Sequence, residues 1–221
     1  MKLTMNKAKE LMDDNLGNLD LRNSYYTDLP SGLVVRASLV LENSAITYLP
    51  DNLHVGGNLI MGNTSIKKLP ANLFVGGDLD LRHTDVAEFP VGLHVGRSID
   101  ISFTSIQVLP DNLTVIGYLN LSHTPITRLP ENLSVRNWLG LTNTGITFLP
   151  ENLNVGGDLY AKNTFITQIP SSVQIGGKVF PECLIVKNKL SLSGQIESAS
   201  NRAAEDCLTS DVKLKPLEPE H

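Results

Sequence analysis

Along residues 31–170 the apolar positions return every twenty residues, and within each period they come in two short alternating bursts. In the first, Leu33, Leu53, Leu73, Leu93, Leu113, Leu133 and Leu153 are followed two residues on by a Val at 35, 55, 75, 95, 115, 135 and 155. In the second, Leu39, Leu59, Leu79, Ile99, Leu119, Leu139 and Leu159 precede Leu41, Met61, Leu81, Ile101, Leu121, Leu141 and Ala161. Side chains of extended chain point alternately to opposite sides, so each burst predicts a short strand with one inward face. A polar column follows (Ser44, then Thr at 64, 84, 104, 124, 144 and 164), then an Ile/Val column from Ile46 to Ile166. Each turn closes on Leu, Phe or Ile before Pro30, Pro50, Pro70, Pro90, Pro110, Pro130, Pro150 or Pro170. No such turn can bury its own side chains, so the pattern predicts a mainly β repeat solenoid of about eight turns around one continuous core. Twenty residues are too few for helical repeats, which need roughly 33.

The phrase L-x-L-x-x-T-x-I-x-x-L-P-x-x-L resembles the short leucine-rich repeat of bacterial and phage proteins, with Thr where that family more often has Asn. The resemblance covers about residues 15–180 and implies a right-handed superhelix with a parallel sheet on its concave side. It implies protein recognition by that face and no catalytic activity. Repeats of this kind also form the recognition half of bacterial effector ubiquitin ligases. Those carry a large catalytic domain after the repeats, whereas about 40 residues follow here and Cys207 has no such domain around it. The V-G-G corner resembles repeats of small phage and bacterial proteins, which implies a binder or inhibitor of a host protein.

Two columns admit two readings each. An inward Thr packs well in extended chain, but an inward hydroxyl without a partner is costly, so a hydrogen bond to the backbone of its own or the next turn is expected. The Gly-Gly corners (Gly56-Gly57, Gly76-Gly77, Gly156-Gly157, Gly176-Gly177) lack the following helix that would make an anion site. They predict a turn requirement instead, a loose one because Arg97 and Ile116 occupy corner positions.

The ends depart from the repeat. Residues 1–14 predict an amphipathic capping helix in which Leu3, Met5, Ala8, Leu11 and Met12 share a face, since a solenoid needs its open end covered. Residues 181–221 predict a C-terminal cap, with closing strands over 182–192, a weakly helical piece over 195–208 and a polar, disordered tail from Thr209.

Charge and cysteines narrow the class of partner. The formal net charge of −5, without a Lys/Arg block, argues against nucleic acid or an anionic membrane as partner. No apolar run approaches a membrane span, and the N-terminus lacks the apolar segment of a secretory signal, so a cytoplasmic protein, or one delivered into or expressed in a host cell, is expected. A monomer is expected as well. Cys183 and Cys207 lack zinc-site spacing; no metal or other cofactor is expected.

Function on such a scaffold belongs to the outward positions of the second strand, where residues twenty apart stand ~4.8 Å from each other. Tyr118, Trp138 and Tyr160 fall on three consecutive turns and predict an aromatic stripe able to anchor a protein partner, with Phe103 and His123 at the strand exits beside it. Cross-strand packing that stiffens the sheet is the plainer reading. Asp78, Asp80 and Asp100 form an acidic group beside Arg82. Arg82 can compensate their repulsion, and the group can steer a basic partner surface. The alternative to a binder is a β-solenoid enzyme or metal-dependent binder acting on polysaccharide through the same three Asp residues. If the concave face is not the site, the convex positions His54, Phe74 and His94 are next in line.

Overall fold

The computed structural model describes residues 1–181; the expected closing strands, helical piece and tail, and both cysteines, lie outside them. The described chain is a parallel-strand β-solenoid of about eight turns, mostly sheet, with a single short N-terminal helix. Turns are numbered below by the Pro that ends each, so that turn two is residues 31–50 and turn six is 111–130.

Both alternating bursts become strands. The second forms a nine-stranded parallel sheet running from Leu19–Asp20 through Leu79–Asp80, Ile99–Asp100, Leu119–Asn120 and Leu139–Gly140 to Val179–Phe180, in sequence order. Its register is the period itself: Leu79 stands beside Ile99, Asp80 beside Asp100, and Gly140 beside Tyr160. The first burst forms two four-stranded parallel sheets, His94–Val95 ending one and Thr114–Val115 beginning the other.

Between the sheets lies one core. Leu39, Leu59, Leu119, Leu139, Ile46, Ile66, Val86, Ile106 and Ile146 are all fully buried in it. Burying each such side chain contributes about 1.5–3 kcal/mol, against the entropy of ordering its turn. The mid-coil exceptions are Phe89, Leu93, Val95 and Leu113, which are only partly buried. They flank the division between the two smaller sheets.

The inward hydroxyls bond within their own turn. Thr64, Thr84, Thr104, Thr124, Thr144 and Thr164 each donate from Oγ1 to the carbonyl three residues earlier, at 2.6–2.9 Å. Ser24 and Ser44, in the same column, have buried hydroxyls without a partner. Thr104→Val is therefore expected to cost about 1 kcal/mol despite its added apolar surface, because the Ile101 carbonyl loses its donor. Chemical denaturation checks this, and an equal or raised stability would leave the hydroxyl as mere packing.

The corner glycines serve a different purpose from the expected one. Gly56, Gly76, Gly156 and Gly176 do not have positive φ. A Cβ on Gly56 would instead run into the carbonyl of Arg36, one on Gly76 into that of Gly56, and one on Gly176 into that of Gly156. Close approach of successive turns, rather than a special turn conformation, selects Gly here.

At the N-terminus the helix spans Met5–Asp13, shorter than the expected 1–14. The Thr4 side chain caps it by accepting from the Lys7 N–H, and Lys2 and Leu3 lie before it in extended chain bridged to Asp28. Leu3 and Ala8 are buried in the solenoid core, with Met5, Leu11 and Met12 packed against it.

Candidate functional site

Every residue assigned to the candidate site projects from the nine-stranded sheet or its exit loops, in three columns: the position before each strand, the outward strand position, and the exit.

The first column is a hydrogen-bonding ladder. A side chain from one turn accepts the backbone N–H of the next: Asn18 from Ser38, Ser38 from Asn58, Asn58 from Asp78, Asp78 from Ser98, and Ser98 from Tyr118. The ladder stops at Tyr118 and Trp138 and resumes where Asp158 accepts from Lys178. In the gap stand two stacked rings, with Tyr118 and Trp138 centroids 4.4 Å apart and their planes 5° from parallel. Tyr160 meets Trp138 edge-on at 5.8 Å and donates from its hydroxyl to Asp158. Phe180 stacks on Tyr160 at 5.2 Å. The three aromatics read from the sequence thus come together, and Phe180 extends them into a fourth turn. The twenty-residue count already pointed to it, since Phe180 lies one period beyond Tyr160.

Gly140 was the other signal missed. A Cβ there would sit 3.1 Å from Trp138 Cζ3 and 2.7 Å from Asn120 Oδ1, so the missing side chain is what lets the indole lie down on the sheet. Gly140→Val is expected to lift the ring into solvent. Trp138 is the only Trp in the chain, so the check is a red shift of intrinsic fluorescence in the folded variant. An unmoved spectrum would mean the ring rests elsewhere.

The acidic group has structural partners. Asp80 binds Arg82 through both carboxylate oxygens, at 2.7 Å for the closest contact, and also accepts the Arg82 backbone N–H. The same Asp-Leu-Arg arrangement recurs at Asp20 and Arg22. Asp100 is only 8% exposed; its oxygens accept from the Ser102 N–H and hydroxyl and from the Asn120 amide. Asp78 serves the ladder, with Arg97 at 3.9 Å. The Asp80 carboxylate raises the Arg82 guanidinium pKa. Tyr118 joins the two groups electrostatically. Its phenol is pushed above its ordinary value first by burial, then by the charges of Asp100, Asp78 and Asp80. Its contribution to stability is therefore complete below the ordinary phenol pKa and falls as pH rises through the raised one.

At the exits a second aromatic stack runs along the sheet. Phe103 is sandwiched between His83 at 4.3 Å and His123 at 4.1 Å, and the Asn143 amide nitrogen lies 3.0 Å from His123 Nε2. All three rings sit on residues with positive φ, in a column that is otherwise Asn. Asn tolerates that conformation, whereas a bulky aromatic is disfavoured there, so Phe103 (φ 58°) is held against its backbone preference. His54, Phe74 and His94 form a third stack on one of the smaller sheets, with centroids 4.3 and 4.7 Å apart.

Among the described residues no group of three or more His, Cys, Asp or Glu side chains could hold a metal ion, and no helix is long and apolar enough to cross a membrane. The fold and this surface define a parallel β-solenoid with aromatic stacks on its sheets. No known family's sequence profile matches the chain, and comparison with curated proteins finds no match.

Proposed function

We propose that this chain is a leucine-rich-repeat-type recognition module that binds a protein partner across its nine-stranded sheet, without catalysis. Tyr118, Trp138 and Tyr160 are the anchor, Phe103 and His123 the flanking contact, and Asp78, Asp80, Asp100 and Arg82 the polar border. The observation that carries this reading is the interrupted ladder: two positions that elsewhere secure the next turn's backbone hold stacked, half-exposed rings instead. Large rings on an open surface favour binding, since aromatic side chains dominate the energetics of protein interfaces. Phe103 adds weight, because a strained, 45% exposed aromatic is a poor choice for stability alone. The structural partners of Asp80 and Asp100 favour a recognition role over acid–base catalysis on polysaccharide. By the resemblance of its repeats, the partner is a host protein of a phage or bacterium.

Photo-crosslinking tests this reading. A crosslinking residue at Tyr160, on the aromatic cluster, should capture a partner in a lysate of the source cells, and one at Phe165, exposed away from that cluster, should not. Capture from Phe165 with none from Tyr160 would place the interface on another face.

A further inference from the structure

Beyond turn one, every pair of neighbouring turns among those described is hydrogen-bonded through the first-burst strands, except turns five and six. There His94–Val95 ends one sheet and Thr114–Val115 begins the next. The side-chain ladder of the neighbouring loop stops at the same place. Asn72 donates to Asn52, and Asn152 to Asn132 and Asn132 to Asn112, at 3.2–3.3 Å, but between the two runs stands Gly92, which has no side-chain amide. Ile116 holds the corner column where Gly56, Gly76, Gly96, Gly156 and Gly176 allow close approach. Arg136 also carries a Cβ in that column and keeps its bond to the Val115 carbonyl, at 2.9 Å. Ile116 differs in being branched at Cβ, which makes it bulkier than Arg136 next to the backbone. On the remaining side Pro125 has no N–H to donate, whereas Ser105, Gly145 and Phe165 donate to the turn before them; this column is the less regular one, since Ser65 and Asp85 make no such bond either.

The result is a cleft of about 560 Å³ between turns five and six, with Leu93, Val95, Leu113 and Ile116 on its walls. Opposite it the nine-stranded sheet is intact. Gly117, Ile99, Ile101 and Phe103 make backbone rungs across the two turns at 2.9–3.1 Å.

We propose that this junction is a hinge. Turns one to five and turns six onward pivot about the rungs of the nine-stranded sheet, and the cleft on the far side opens and closes. No backbone hydrogen bond of the smaller sheets has to break for this motion, and three of the core side chains at the cleft, Leu93, Val95 and Leu113, are already partly solvated, although Ile99 behind them is buried. Motions of this kind concentrate where local contacts are fewest. The pivot runs between Asp80, Asp100 and Phe103 on one half and Tyr118, Trp138 and Tyr160 on the other. If the recognition role above holds, a partner spanning both halves selects one hinge angle; the pivot itself does not depend on that role.

Spin labels at the exposed positions Asp51 and Glu151, five turns and about 24 Å apart at the usual strand spacing, read the angle directly. The full chain is used, with Cys183 and Cys207 changed to Ser. The comparison protein carries Gly92→Asn and Ile116→Gly, which supply the missing amide and remove the branched side chain. A hinge predicts a distance distribution in the parent at least about twice as wide as in the doubly substituted chain. Equal widths, narrow or broad, would overturn the proposal. If the double variant does not fold, Gly92→Asn alone takes its place, with narrowing expected and an unchanged width again decisive against the hinge.

Discussion

Truncating Trp138 to Ala is expected to weaken partner binding by at least about 2 kcal/mol, roughly 30-fold, while the fold remains intact. The ring sits at the middle of the aromatic cluster, between Tyr118 and Tyr160. A partner covering it would desolvate the indole together with the rings on either side of it. The cost to stability should be much smaller, about 0.5–1.5 kcal/mol for the lost stacking on Tyr118, since the indole lies on the sheet and leaves no core cavity. The two readouts separate the roles. A large fall in affinity with a nearly unchanged melting temperature identifies an anchor. The reverse pattern would make the stack a device for stiffening the sheet, and unchanged affinity in a folded variant would move the interface away from it.

The largest effect on stability is expected in the core, and it should differ between two residues of one column. Leu133 is fully buried, whereas Leu113, one turn earlier, is only partly buried beside the cleft. Leu133→Ala should cost about 3–5 kcal/mol, from lost burial and the cavity left by packed neighbours. Leu113→Ala should cost less than about 2 kcal/mol, because water already reaches part of that side chain and less contact is lost. Denaturant unfolding of both variants under the same conditions checks the difference. Equal costs would mean that the cleft is closed in solution.

Much of the site could be read in advance because the repeat converts sequence distance into spatial distance. Residues twenty apart are neighbours, so Tyr118, Trp138 and Tyr160 were bound to meet once the second burst became parallel strands. The Thr hydroxyl bonds were likewise foreseeable, since an inward polar group needs a local acceptor. Less visible was the division of labour among polar residues. The letters offer Asp80 its partner Arg82 two residues on, but they do not show that Asp100 is buried, held by Ser102 and by the Asn120 amide of the next turn. Both were read as outward charges, because alternation assigns a side of the strand and says nothing of whether a group is covered there.

By itself the sequence determined the solenoid, its period, the inward columns and the register of the sheet, because all follow from the spacing of apolar residues and hold whatever the details of packing. The tertiary structure alone decided what happens between turns. That the corner glycines answer to a carbonyl twenty residues away, that the Trp138 ring lies over Gly140, and that the smaller sheet parts at Ile116 depend on distances of a few tenths of an ångström between neighbouring coils. Those distances are set by atoms of two turns at once, and no single period of the repeat contains them.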